Sequence, residues 1–183
     1  MKKFQEFVNY IALKWRRENK TILEKKGLSG MSNKEAGDKA ELFLINKMEN
    51  LLPNYTIVKS KGSFTPADIY AVGRKRGFWH IMLIQVKSTK TTNGTYKLSN
   101  REIKIFKELA KLINREIKTS EYLKEEMNTP IIITIGYAGL QKERTKYIVK
   151  DCYPYALYKH KAAIIYNDSV KNNLSNIHNK LTN

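Results

Sequence analysis

Residues 68–90, DIYAVGRKRGFWHIMLIQVKSTK, decide how this chain reads. Asp68 closes a turn rich in Gly, Ser and Pro (GSFTPA, residues 62–67), and Pro66 biases Thr65 to extended geometry on the approach. A short apolar strand, Asp68 to Val72, follows. Gly73 to Gly77 (GRKRG) is a loop short enough for an antiparallel hairpin. A long apolar strand then runs from Phe78 and carries Gln85 and Lys87 at its far end. These two stand two positions apart, so in a strand they project from the same face. In such a hairpin Asp68, at the start of one strand, lies near Gln85–Lys87 at the end of the other.

Upstream, Ser32 and Glu35 form a capping box that opens a helix, and Pro53 follows its end. Ala36, Ala40, Phe43, Leu44, the stem of Lys47 and Leu51 make its apolar stripe. Glu41 lies about 100° round from Ala40, at the border of that stripe, where a carboxylate reaches over a sheet edge. Asp38, one turn earlier, is a competing or auxiliary carboxylate. Tyr55 to Lys59 reads as a short strand.

Downstream, a polar loop from Thr89 to Asn100 leads to a second capping box, Ser99 with Glu102. The helix it opens carries Ile103, Phe106, Ala110 and Ile113 on one side and lysines Lys104, Lys107 and Lys111 elsewhere. After Pro130 the nearly continuous run IIITIGYAG is typical of a strand covered on both faces. Lys146 to Val149 reads as one more strand. From Asp151 an aromatic cluster (Tyr153, Tyr155, Tyr158) passes into an Asn- and Lys-rich tail.

At the other end, residues 1–26 read as a basic amphipathic helix or helix pair. Phe4, Phe7, Val8, Ile11 and Trp15 recur at helical spacing among Lys14, Arg16, Arg17 and Lys20. Gly27 to Gly30 breaks the pattern. The division expected is a basic helical extension at 1–30, a core domain at 31–150 and an aromatic and polar extension at 151–183.

The 183 residues are 42% hydrophobic, enough to bury one core. Cys152 stands alone, so no intramolecular disulfide forms, which suits a reducing cytoplasm. No apolar run approaches the roughly 20 residues of a membrane span, and no signal peptide is evident. A soluble, cytoplasmic chain without a membrane partner is expected. Thirty-four Lys+Arg against seventeen Asp+Glu gives a formal charge of +17, and the pI is near 9.8. That field favours polyanions, nucleic acid above all. Lysine outnumbers arginine, so contacts to phosphates are expected over contacts to base edges. The three histidines, His80, His160 and His178, show no zinc-ligand spacing. A lysine on a sheet face, beside an amide and facing a carboxylate, suits a metal-dependent phosphodiesterase better than a plain core.

Helix, three strands, helix, strand is the order of the PD-(D/E)XK nuclease core, and this chain resembles that superfamily, most of all its archaeal Holliday-junction resolvase branch. Gly37-Asp-Lys-Ala-Glu41 matches the Gly-x-x-x-Glu of the first helix. Gly62-Ser63 followed by Asp68-Ile-Tyr-Ala71 matches the second motif. Gln85-Val-Lys87-Ser88-Thr89 matches the third, with Gln85 where the family usually has a carboxylate. The resemblance runs from about residue 32 to 150. It implies an α/β, restriction-endonuclease-like fold, a central mixed sheet flanked by helices. It further implies a symmetric homodimer that hydrolyses phosphodiesters of DNA, branched DNA in particular, with Mg²⁺ or Mn²⁺. Asp68, the Gln85 amide oxygen and the Val86 carbonyl would hold the ion, with Glu41 on a second ion or a water. Lys87 would orient the attacking water or offset charge on the phosphorane. Ser63, Arg74, Lys75, Arg76, Lys90, Arg16 and Arg17 are the expected nucleic-acid contacts. Gln-x-Lys also occurs in Mrr-type restriction endonucleases, so a duplex endonuclease is one alternative. A catalytically degenerate DNA-binding module is another.

Overall fold

A computed structural model describes residues 2–19, 32–60, 65–75, 77–89, 96–120, 123, 131–144 and 146–159. At residues 2, 32–36, 75 and 153–159 only the backbone is described. The elements are α1 (Lys2–Glu18), α2 (Ser32–Leu51), β1 (Tyr55–Lys59), β2 (Ile69–Lys75), β3 (Phe78–Thr89), α3 (Asn100–Thr119), β4 (Ile131–Glu143) and β5 (Lys146–Lys159).

The five strands form one mixed sheet in the order β1-β2-β3-β4-β5. β1, β2 and β3 are an antiparallel meander, β4 lies parallel to β3, and β5 returns antiparallel to β4. A parallel neighbour requires a crossover, and α3 supplies it. The chain is therefore α/β, with helices on both faces of the sheet.

Alternation along the strands divides the core in two. On one face Tyr70, Val72, Ile81, Leu83, Ile133 and Ile135 pack against α1 and α3. On the other, Ile69, Ala71, Met82 and Ile84 pack against Ala40, Leu44 and Met48 of α2. β4 sits between both layers, and its first eleven residues are buried. That is why its sequence reads as an unbroken apolar run.

The N-terminal helix belongs to this core. Phe4, Val8, Ile11 and Trp15 return every three or four residues and are all buried. Burying a side chain of this kind contributes about 1.5–3 kcal/mol. Polar contacts fix its register: Tyr10 donates to Glu116 Oε2 at 2.6 Å, Lys14 reaches Glu116 Oε1 at 2.8 Å, and Arg115 reaches Glu18 at 2.9 Å. Glu116 is almost buried, which costs free energy for a carboxylate unless it is paired. Burial pushes its pKa up, yet Lys14, Tyr10 and Arg115 outweigh that and hold it below the usual value.

Two strands depart from the sequence reading. β2 and β3 pair as far as Lys75↔Phe78, so the hairpin is tighter than a Gly73–Gly77 loop. Gly77 carries the turn at φ +82°, where a side chain would be strained. β5 runs through residue 150 to Lys159, so the boundary expected there falls inside a strand. The Ser32 and Glu35 side chains lie outside the described residues.

Candidate active site at the mouth of the central strands

The end of the sheet where β2 begins and β3 ends forms a mouth, and Asp68 is fixed there by backbone. Its N–H donates to the Ile84 carbonyl at 2.9 Å, and its own carbonyl accepts from the Ser60 N–H at 2.8 Å. Its carboxylate oxygen Oδ2 accepts from the Val86 N–H at 2.8 Å. Asp68 thus stands where the sequence reading puts it, against the Gln85–Lys87 end of β3. In an extended strand the N–H and C=O of one residue leave by the same edge. The Val86 carbonyl is therefore directed to the Asp68 side as well.

Gln85 and Lys87 share the face of Ile81 and Leu83, the one covered by α1 and α3. Gln85 Oε1 is buried and has no hydrogen-bond partner. An orphaned carbonyl oxygen costs about 1–3 kcal/mol unless a donor or a cation compensates it. Lys87 extends to α3, where its ammonium binds both oxygens of Glu102 at 2.9 and 3.0 Å. Glu102 also closes the capping box of α3, accepting from the Ser99 N–H at 2.7 Å and the Ser99 hydroxyl at 2.8 Å. Burial pushes the Glu102 pKa up, but the Ser99 N–H, Lys87 and the Ser99 hydroxyl together hold it below the usual carboxylate value.

The next strand completes this face. Gly139 pairs with Lys87, and Tyr137 pairs with Gln85. The Tyr96 side chain packs directly on Gly139; a Cβ there would overlap its Cβ, Cγ and Cδ1, so only glycine permits this approach. The Tyr96 hydroxyl is buried without a hydrogen-bond partner, like Gln85 Oε1. Tyr137 donates to Asp151 Oδ2 at 2.6 Å, and Asp151 pairs with Gly139 on β5.

Glu41 comes to this end of the sheet from the opposite face, with α2. Its carboxylate is bound by Lys59 at 2.9 Å, and Lys59 pairs across the strands with Ile69, the neighbour of Asp68. Asp38 holds the same ammonium at 2.6 Å. The sequence reading brings Glu41 to Asp68 directly; the structure puts a lysine on it. Partial burial pulls the Lys59 pKa down, but Asp38 and Glu41 more than offset this and leave it raised. Among the described residues no three His, Cys, Asp or Glu side chains gather closely enough to hold a metal ion. Amide and backbone oxygens would have to complete any such set.

The expected nucleic-acid contacts are distributed differently from the sequence reading. Arg74 is exposed near the hairpin tip, six residues and about 20 Å along β2 from Asp68. Arg16 and Arg17 are exposed at the end of α1, beside Glu18 and hence near the C-terminal part of α3. Ser63, Arg76, Lys90 and the Lys75 side chain lie outside the described residues. His80 is structural: its ring nitrogens bond the Tyr55 hydroxyl and Thr134 Oγ1, each at 2.9 Å. Cys152 is buried on the α2 face, and burial with Asp151 nearby pushes its thiol up to about 12, so it is no nucleophile near neutral pH.

Glu102, Lys59, Asp151 and Tyr96 stand at the site without a site motif in the sequence; for Glu102 the one signal is the Ser99–Glu102 spacing, which marks a cap. Comparison with protein-family models, with curated proteins and with solved structures finds no match.

Proposed function

We propose that this chain is a divalent-metal-dependent DNA endonuclease of the PD-(D/E)XK kind, acting as a homodimer on branched DNA. The observation that carries the reading is the meeting of Asp68 with the Gln85-Val-Lys87 end of β3, with Gln85 Oε1 left buried and unpartnered. Mg²⁺ takes hard oxygen ligands and keeps several waters. Asp68, the Gln85 amide oxygen and the Val86 carbonyl suit it. Bound there, the ion would supply Lewis-acid polarisation of a phosphoryl oxygen and a more acidic water.

The chain's own residues do the rest. Asp68 is positioned by two backbone hydrogen bonds and one to its side chain, so its carboxylate needs little reorganisation. Lys87 has three N–H donors, and Glu102 engages its ammonium through two oxygens. A donor remains for a phosphate oxygen or a water, and the ammonium offsets charge that builds on the phosphorus centre. Glu41 is the reserve carboxylate, held by Lys59 beside the mouth.

Four-way junction, flap, linear duplex and single-stranded DNA, each incubated with and without Mg²⁺, test this reading. Paired nicks on the junction are expected. Cutting of linear duplex only would replace the junction by a duplex substrate, and no cutting of any substrate with Mg²⁺ or Mn²⁺ would remove the enzyme.

A further inference from the structure

Six basic side chains, Arg101, Lys104, Lys107, Lys111, Arg115 and Lys118, are exposed on α3. At 100° per residue they fall within about 120° of arc, opposite the buried Phe106, Leu109, Ala110, Ile113 and Ile117. The stripe runs roughly 25 Å along the helix and contains one acid, Glu108, paired with Lys111 at 2.7 Å. Arg115 is spent on Glu18 and Glu116. Arg101, Lys104, Lys107 and Lys118 form no ion pair with any described residue.

A solvated helix face usually mixes signs, because unbalanced like charges three or four residues apart repel. Here Arg101, Lys104 and Lys107 follow one another at three-residue spacing with no acidic partner among the described residues, on a helix whose other side is locked in the core and whose N-terminus is capped by Ser99. The stripe begins at the mouth, since Glu102 lies between Arg101 and Ile103 and holds Lys87. Its other end lies beside Arg16 and Arg17 at the tail of α1.

We infer that the outer face of α3 is the track on which duplex nucleic acid lies, its phosphates on Arg101, Lys104 and Lys107 and one end of the track at the mouth. This deepens the proposed function by naming the surface that presents the substrate, and it rests on that reading for the choice of DNA. Charge complementarity selects a polyanion. Lipid is disfavoured because the large apolar side chains exposed among the described residues, Tyr10, Leu13, Leu42 and Ile148, all lie off α3, leaving this face no anchor.

The test is fluorescence anisotropy of a labelled duplex of three helical turns with the full chain in EDTA, across a salt series. Neutralising two phosphate contacts with Lys104→Gln/Lys107→Gln should lower the slope of log K against log salt by about 1.8 for duplex DNA. Lys39→Gln/Lys47→Gln, an equal charge change on α2 across the sheet, should leave the slope within error. Far-UV circular dichroism and melting temperature establish that both variants are folded. An equal fall in both pairs, or none in the α3 pair, overturns the track. So does vesicle binding to phosphatidylserine that depends on Lys104 and Lys107 while duplex binding does not. Cleavage separates the two claims. A chain that cuts DNA with an unchanged α3 slope loses the track and keeps the enzyme; one that binds through α3 but cuts nothing does the reverse.

Discussion

Lys87 on β3 and Glu102 on α3 join at 2.9 Å, and the same carboxylate closes the capping box at Ser99. One residue therefore sets both the start of the helix and the position of the candidate catalytic lysine. Glu102→Gln keeps the shape and removes the charge. It should cost about 1 kcal/mol in urea unfolding, the usual scale of a cap. DNA cleavage should fall roughly 10- to 100-fold through a looser Lys87, with duplex binding retained. Cleavage at the parent rate would show that Lys87 needs no such anchor.

Acid stability follows from Glu102 and Glu116. Both have folded-state pKa values below 4.5, so the unfolded chain binds their protons more readily than the native one. Their contribution is fully present above the unfolded value and is lost as pH falls through the folded values. The free energy of unfolding should vary little on their account between about pH 7 and 5 and drop below about pH 4.5. Glu102→Gln/Glu116→Gln should flatten that acid limb.

Gly139→Ala should be poorly tolerated although the change is one methyl group. The new Cβ would overlap Cβ, Cγ and Cδ1 of Tyr96, the root of the side chain rather than a flexible end, so Tyr96 as a whole has to shift. A loss of about 1–3 kcal/mol is expected, with Tyr96 displaced from the face that holds Gln85 and Lys87. Thermal unfolding and Tyr fluorescence would register both effects.

Gln85→Glu replaces the amide at this position by a carboxylate. Without metal, an extra charge at a buried oxygen that lacks a partner is costly, so the melting temperature should fall in EDTA. With Mg²⁺ the loss should be recovered, and calorimetry should find tighter Mg²⁺ binding than in the parent. An equal melting temperature in EDTA and Mg²⁺ would place the ion elsewhere.

Local chemistry made much of this architecture readable. Tyr55–Lys59 declared itself by β-branched and aromatic residues, and Ser99–Glu102 by reciprocal capping. The length of β5 stayed hidden because its aromatic and polar residues carry no core pattern on an edge strand. At the site, the nearness of Asp68 to Gln85–Lys87 followed from hairpin geometry. The ion pairs of Lys87 with Glu102 and of Lys59 with Glu41 join elements whose contacts no local spacing encodes. The placement of the basic hairpin tip was legible in principle, because strand length fixes its distance from Asp68.

The most direct test is single-turnover cleavage of a four-way DNA junction in Mg²⁺ by the parent chain, Asp68→Ala and Lys87→Ala, with junction binding measured in parallel. The account predicts Mg²⁺-dependent paired nicks by the parent. Each substitution should lower the rate on the order of 10²–10³-fold or more while binding persists. Equal cleavage by all three chains, or none by the parent, would contradict it.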